Sequence, residues 1–385
     1  MHGMQGRLIS VRHLSAADER AWQALSARAV KPNPFYEPDC VIQAALHQAP
    51  GAEINLALAQ EDGRFCAFLP FRPLRRWKFP YPILTSQVRR MGYLGTPLVD
   101  PDRGQEAIEI VLEALASQRG IDHARFFVLD TSGADGPVAG IVRDAADALH
   151  FPLSVFESFE RGFLQRLLEP TYALDYHART RHKWRQKRRH LCREIGAEVR
   201  IIDRAGDVGA VEEYIAMEAS GYKHESGVAM ATVAGEPAYF ADMCHPFAVQ
   251  GRLQFLSLEA GGRSEAMELL VKAGNGLALT ALAYDEKFTS FSPGVLLETG
   301  ALEHLHQATD FEWIDSGSSA DNALLLWLYP ERRRIEGVII ILGRNLVDRA
   351  VVRAFITARP MHRAWHERRV RSDARSAHRR QRSGS

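Results

Sequence analysis

The apolar residues of this chain change their spacing in one fixed order, and they pass through that order twice. Alternation with period two marks a half-buried strand, and spacing of three to four marks the inward face of a helix. In the first half, Arg7–Leu14 reads as a strand, and Ser15–Val30 as a helix capped by Ser15 with Ala21, Trp22, Leu25 and Ala29 on one face. The Lys31-Pro-Asn-Pro breaker precedes a second helix through Val41, Ala45 and Leu46. Ile54–Gln60 and Arg64–Pro73 make a hairpin around Glu61-Asp-Gly, and Arg90–Val99 is extended. Pro101–Gln118, Arg125–Asp130, Pro137–Leu149 and Leu153–Phe159 then read helix, strand, helix, strand.

The second half repeats the order. Glu198–Ile202 is a strand, and Asp207–Ser220 and Pro237–Val249 are helices. Leu253–Leu258, Glu265–Val271 and Leu277–Tyr284 are three strands turned at Gly261-Gly262 and Gly274-Asn-Gly. Gly294–Gln307, Phe311–Asp315, Asp321–Tyr329 and Glu336–Leu342 alternate helix and strand, and Leu346–Ala358 is helical. The expected fold class is α/β, with a mixed α+β sheet. The order resembles the GNAT (GCN5-related N-acetyltransferase) topology, which implies two tandem GNAT-like domains joined by a long basic helix, Asp175–Ile195. The expected boundaries are 1–170 for the first domain, 171–196 for the basic linker helix, 197–358 for the second domain and 359–385 for an Arg-rich, disordered tail.

Composition narrows the class. At 385 residues the chain has room for about two domains, and 46% hydrophobic with 25% charged residues is the balance of a globular protein. Disordered, collagen-like and disulfide-scaffold classes are excluded. The 48 Lys and Arg against 47 Asp and Glu give a net charge of +1, so no whole-protein nucleic-acid signal exists. The charge is local: nine arginines against Glu367 and Asp373 after position 358, and an acid-free stretch from Arg179 to Arg193. Cys40, Cys66, Cys192 and Cys244 form no CxxC pair and no zinc-spaced cluster, so a reduced compartment and no metal are expected. The start MHGMQGRLISVRHL lacks the apolar core of a signal peptide, and no apolar run nears the ~20 residues of a membrane span. A cytoplasmic location is expected.

The segment Ala283-Tyr-Asp-Glu-Lys-Phe-Thr-Ser-Phe-Ser-Pro-Gly-Val-Leu-Leu-Glu298 runs a strand into a helix start. Ser292 caps, Pro293 suits the first helical position, and Gly294 admits a ligand close to the backbone. The open amides of Ser292, Gly294, Val295 and Leu296 would suit a pyrophosphate. The same three residues also start helices that bind nothing.

That run, with MEASGYKHESGVAM before it and LWLYPERRRI after it, resembles the CelD-like (BioF-like) acetyltransferase family of the tandem-GNAT, FemAB-like group. NPFYEPD and YLGTPLVD match the same family's N-terminal pattern, so the likeness spans roughly Val30 to Leu342. It implies an acyl-CoA-dependent N-acyltransferase, with acetyl-CoA or another acyl-CoA as co-substrate and its pyrophosphate at the loop before Gly294. The usual GNAT phosphate loop, Q/R-x-x-G-x-G/A, is reduced here to Gly294 alone. The resemblance assigns Asn322 to cofactor binding and Tyr329 to protonating the departing thiolate; otherwise Tyr329 simply ends an amphipathic helix. The amine needs a proton acceptor. Asp285, at the end of the strand flanking the thioester, and Glu218, on the helix before Gly221-Tyr222-Lys223-His224, are preferred to His245. In that fold the Tyr222-Lys223 loop borders the acceptor, and a strand N–H near Tyr284 holds the carbonyl oxygen.

The expected acceptor is an amine of a small molecule, sugar or polysaccharide precursor. Two alternatives stand. FemAB-like relatives use aminoacyl-tRNA, and the Arg179–Arg193 helix with Trp184 offers an RNA contact; the same helix reads equally as a solvated linker. A non-catalytic scaffold with this fold is the other alternative.

Overall fold

The computed structural model describes residues 3–47, 53–74, 83–89, 92–117, 124–166, 178–221, 229–343 and 345–358, with side chains from 182 onward in the helix that starts at 178. The first half opens with β1 (Gln5–Ser10) and a helix, Ala16–Arg28, locked by a capping box. Ser15 Oγ accepts the Asp18 N–H at 3.1 Å, and the Asp18 carboxylate accepts the Ser15 N–H at 3.1 Å. Helix Pro38–Leu46 follows, then β2 (Asn55–Glu61), β3 (Arg64–Leu74), β4 (Ile83–Thr85) and β5 (Leu98–Val99). Helix Gly104–Ser117 buries Ala107, Ile108, Val111, Leu112 and Leu115, a three-to-four spacing. It leads to β6 (Phe126–Gly133), helix Pro137–Ala148 and β7 (Leu153–Gln165).

The basic helix spans Ala178–Ile195; its expected first residues, 175–177, lie outside the described residues, as does the Arg-rich tail, 359–385. The second half then gives β8 (Val199–Asp203), helices Ala210–Ser220 and Glu236–Val249, and β9 (Leu253–Ala260), β10 (Arg263–Ala273) and β11 (Gly276–Tyr284). Helix Pro293–Ala308, β12 (Trp313–Asp315), the short helix Ala323–Leu328, β13 (Glu331–Ile341) and a helix over 346–358 complete the order.

All these strands join one sheet, in the order β1-β2-β3-β4-β6-β13-β7-β12-β11-β10-β9-β8, with β5 beside β3. The centre is reciprocal. β7 belongs to the first half in sequence but lies between β13 and β12; β13 belongs to the second but lies between β6 and β7. The two run antiparallel from Glu331 opposite Phe163 to Ile340 opposite Leu153. Each half therefore completes the other's sheet. One buried apolar cluster draws on both, joining Trp22, Phe68 and Leu112 to Tyr214, Phe240 and Phe255. A second packs helix Pro293–Ala308 onto the sheet through Leu297, Ala301 and Leu305. Ion pairs also cross between the halves: Arg252 forks onto Glu37 at 2.7 Å for both nitrogens, and Arg89 meets Glu236 at 2.8 Å.

Candidate functional site

β11 and β12 are parallel neighbours for three residues only, Gly276 to Ala278 against Trp313 to Asp315. Beyond that the chains part. Thr280 is the extra residue of a β-bulge, because Leu269 faces Ala281 while Leu270 faces Leu279. A bulge bends its strand and re-aims the residues after it. On the other side Gly317, at φ +59°, turns the chain away from β12, and a Cβ there would lie 2.3 Å from the Leu279 carbonyl oxygen. A glycine is required for that turn.

A cavity of about 470 Å³ fills the opening. Leu279–Leu282 form one wall and Ser316–Ser319 the facing one; Asn322, Leu324 and Leu325 close it from the short helix. The first half supplies Gln87, Tyr93, Thr131, Phe159 and Arg161, so the cavity lies between the halves. Glu218 and Glu236 bring carboxylates from helices Ala210–Ser220 and Glu236–Val249. Glu236 is committed to Arg89. Glu218, 8% exposed, accepts the Met230 N–H on one oxygen at 2.8 Å. A small extension of about 40 Å³ continues past Glu218 and Leu282 to Tyr284 and Gly221.

An ion cluster holds the parting strands from below. Asp315, at the end of β12, meets Arg161 of β7 through Nε at 2.6 Å and Nη2 at 2.7 Å, and pairs also with Arg333 of β13. Arg161 gives its remaining nitrogen to the Tyr93 carbonyl at 2.6 Å. Burial alone would raise the Asp315 pKa, but the two guanidiniums outweigh it and hold the carboxyl down to about 2. The Gly317 N–H, 3.0 Å from Asp315 Oδ1, ties the turn to this cluster.

The residues expected from sequence are divided by the structure. Glu218 and Asn322 line the cleft, and Tyr284 lines its extension. Asn322 caps the short helix, its Oδ1 accepting the Leu325 N–H at 3.1 Å. Tyr222 and Lys223 lie outside the described residues.

The Ser292 corner differs from expectation. Lys187 of the basic helix closes it, donating to Ser292 Oγ at 2.6 Å and to the Ser290 carbonyl at 3.1 Å. The Val295 and Leu296 amides both bond the Ser292 carbonyl at 3.1 Å, and the open side of Gly294 faces Tyr284 and Leu282 of β11. The Ser292 corner is thus packed against protein, and Gly294 serves helix–strand approach.

Tyr329 is corrected as well. The helix of Asn322 ends at Leu328, so the two residues do not share a two-turn face. The Tyr329 hydroxyl is buried 3.3 Å from Glu298 Oε2 and reaches neither the cleft nor its extension. Of the proton acceptors, Asp285 caps the turn Glu286–Phe291 through the Lys287 N–H at 2.9 Å, and His245 is an exposed residue of helix Glu236–Val249. Neither lines the cleft.

Sequence reasoning missed Thr280, Arg161 and the Ser316–Ser319 turn. One signal was present: leucines at 277 and 279 are followed by one at 282, a slip of phase that places a bulge between them.

Residues 178–322 match the family described as "Acetyltransferase (GNAT) domain". No curated protein matches the chain by sequence. Among solved structures the chain is similar to FemX, at 11% identity and a TM-score of 0.59 over 87% of this chain and 97% of that one. It is similar to a conserved protein of unknown function from Bacteroides thetaiotaomicron, at 11% identity and 0.54 over 86% and 98%. It is also similar to the C-terminal domain (DUF2156) of a proposed lysylphosphatidylglycerol synthetase from Agrobacterium fabrum, at 12% identity and 0.52 over 89% and 96%. The family match covers residues 178–322, and the whole chain has a fold similar to that of FemX.

Proposed function

We propose that this protein is an N-acyltransferase whose reaction takes place where β11 and β12 part. The observation that carries the reading is the cavity itself. It lies in the opening of a bulged strand within a GNAT domain, and it has a buried carboxylate, Glu218, on its wall. An acyl thioester placed along Leu279–Leu282 would present its carbonyl to the side of β11 from which β12 diverges after Ala278. The acceptor amine attacks the carbonyl carbon and forms the new C–N bond. Glu218 takes the amine proton, and the C–S bond breaks to release the thiolate.

The donor in this reading is an acyl-CoA, with acetyl-CoA the simplest case. The acceptor is an amine on a small molecule, sugar or polysaccharide precursor, in keeping with the hydroxyl-rich Ser316–Ser319 wall. The division into a catalytic 197–358 and an acceptor-shaping 1–170, joined by 171–196, belongs to the same proposal. So does a cytoplasmic location, which the four unpaired cysteines fit. Among the described residues no helix is long and apolar enough to cross a membrane.

One observation favours a second donor, aminoacyl-tRNA: His182, Lys183, Arg185 and Arg189 stand exposed along the basic helix, as a phosphate backbone would require. The test is thiol release from acetyl-CoA with a panel of amines, run beside transfer from charged tRNA at two salt concentrations. Thiol release that depends on the amine supports the first reading. Salt-sensitive transfer from tRNA alone supports the second. Turnover of neither leaves a scaffold and overturns both.

A further inference from the structure

Ser292 and Lys187 touch each other, and neither lines the cleft. Ser292 opens helix Pro293–Ala308 at φ +57°, ψ +58° in the structure, the left-handed region that favours glycine. A serine in that place ordinarily caps the helix through its hydroxyl, yet Ser292 makes no such bond. Its Oγ instead accepts a hydrogen bond from Lys187 Nζ at 2.6 Å. The chain thus tolerates backbone strain and forgoes a cap to hold a hydroxyl against an amine, and strain of this kind collects at functional sites.

The surroundings suit a nucleophile and its base. The Ser290 carbonyl accepts a second hydrogen bond from Lys187 Nζ at 3.1 Å and so orients the amine. Lys183 precedes Lys187 by four residues, on the same face of the basic helix. Burial, and after it the charge of Lys183, holds the Lys187 amine below the ordinary lysine value. Ser292 and Lys187 are both half-buried, so a reagent can reach the pair. About one turn along each helix, Trp184 and Leu296 enter the wall of a cavity of about 560 Å³, whose apolar surface continues over Trp327 and Leu328. Trp184 Nε1 is buried there with no hydrogen-bond partner among the described residues. A buried donor of this kind is normally satisfied, so it calls for an explanation such as a missing ligand.

We infer that Ser292 and Lys187 form a serine–lysine pair that hydrolyses carboxylic esters with an apolar acyl group. The acyl chain lies in the cavity against the indoles, and the Trp184 N–H is the donor for an ester oxygen. Lys187, as the neutral amine, takes the Ser292 proton while Oγ bonds to the carbonyl carbon. The bond from that carbon to the alcohol oxygen breaks, and the proton on Lys187 passes to the departing alkoxide. Water then repeats the exchange. Lys187 takes a proton from it, its oxygen bonds to the acyl carbon, and Ser292 leaves with the proton. The products are the carboxylic acid, the alcohol and the unaltered pair. This activity is separate from acyl transfer in the cleft and does not rest on it.

The test is labelling of the full chain with a fluorophosphonate, in which Ser292 Oγ bonds to phosphorus and fluoride leaves. Mass spectrometry of the digested chain places the adduct, which is expected on Ser292. Lys187→Arg keeps the charge but cannot act as a base, and should slow labelling by roughly 10²-fold. Ser292→Gly should abolish it and, by relieving the left-handed backbone, melt no earlier than the unaltered chain. The unaltered chain should also release p-nitrophenolate from p-nitrophenyl butyrate, faster than from the acetate, and the glycine variant should not. No adduct on Ser292, an equal rate in Lys187→Arg, or an adduct without ester turnover overturns the proposal, and equal rates on the two esters overturn the apolar acyl group. Should Lys187→Arg melt early, the unaltered chain decides: Ser292 must label faster than every other serine, and parity overturns the pair. Absent thiol release from acetyl-CoA beside an intact Ser292 adduct would sink the transfer reading and leave this one standing.

Discussion

At the scale of single residues, two carboxylates in and beneath one cavity have opposite tasks. In the proposed transfer Glu218, on the cleft wall, exchanges a proton, whereas Asp315 lies beneath it between two guanidiniums that keep it charged. Replacing Glu218 by Gln keeps the shape and the acceptor for the Met230 N–H but removes the base. The expected loss in kcat is roughly 10²- to 10⁴-fold, with an unchanged melting temperature; thiol-release kinetics and a thermal melt check both. Asp315→Asn is the contrasting case. It leaves the buried Arg161 and the partly buried Arg333 without their anion, and removing one partner of such a cluster costs about 3–5 kcal/mol. The pH dependence follows from the sign of the shift. With its folded value at about 2, below the ordinary 3.8, Asp315 stabilises the fold fully above the unfolded value and loses that contribution as pH falls from 3.8 toward 2. The amount is roughly 2 kcal/mol. Melting temperatures of the unaltered chain should therefore drop across that acid window, and those of the Asn variant should drop less.

At the scale of elements, most of the strands and helices were legible in the periodicity, and the exceptions share a cause. β13 begins at Glu331, five residues before its apolar run at Glu336, because Glu-Arg-Arg-Arg does not look like the middle of a sheet. Each arginine there has a partner that the sequence does not reveal: Arg332 donates to the Leu326 and Tyr329 carbonyls, Arg333 pairs with Asp315, and Arg334 with Asp135. Glu218 and Asn322 could be chosen from their local setting, whereas Arg161 was invisible because its partner lies 154 residues away. Tyr329 was misplaced because helical spacing was extended past the end of a six-residue helix.

Its actual neighbours are Glu298 of helix Pro293–Ala308 and Glu268 of β10, both 1% exposed. Burial lifts both carboxyls, Glu298 to about 7 and Glu268 well above the ordinary carboxyl range, with the neighbouring Glu298 adding to the rise at Glu268. A carboxyl with a raised folded value stabilises fully below its unfolded value and loses that contribution as pH rises through about 7. The unaltered chain should thus melt earlier at pH 8 than at pH 6 by about the effect of one ionising group. Glu298→Gln should flatten that slope; an equal slope in the variant would place the titrating group elsewhere.

At the scale of the molecule, the repeated order of elements was legible and the exchange of central strands was not. Period and caps report what each segment is, but not which half it pairs with. The consequence is mechanical. β7 separates β12 from β13, so a chain that begins at residue 197 lacks the strand that completes its own sheet. It would expose the edge of β12 and the long edge of β13, which invites aggregation. Expressed alone, 197–358 should be insoluble or unfolded, and the full chain should lose both halves in one denaturation transition; two separate transitions would contradict the interlocked sheet.

The cleft also depends on this arrangement, since its walls come from both halves and its floor from β7, β12 and β13. The central claim, that acyl transfer takes place where β11 leaves β12, is tested most directly by a crystal structure of the full chain with acetyl-CoA. The account predicts the thioester carbonyl between Leu279–Leu282 and Ser316–Ser319, with Glu218 facing the carbon. A thioester seated elsewhere, or an empty cleft at saturating ligand, would contradict it.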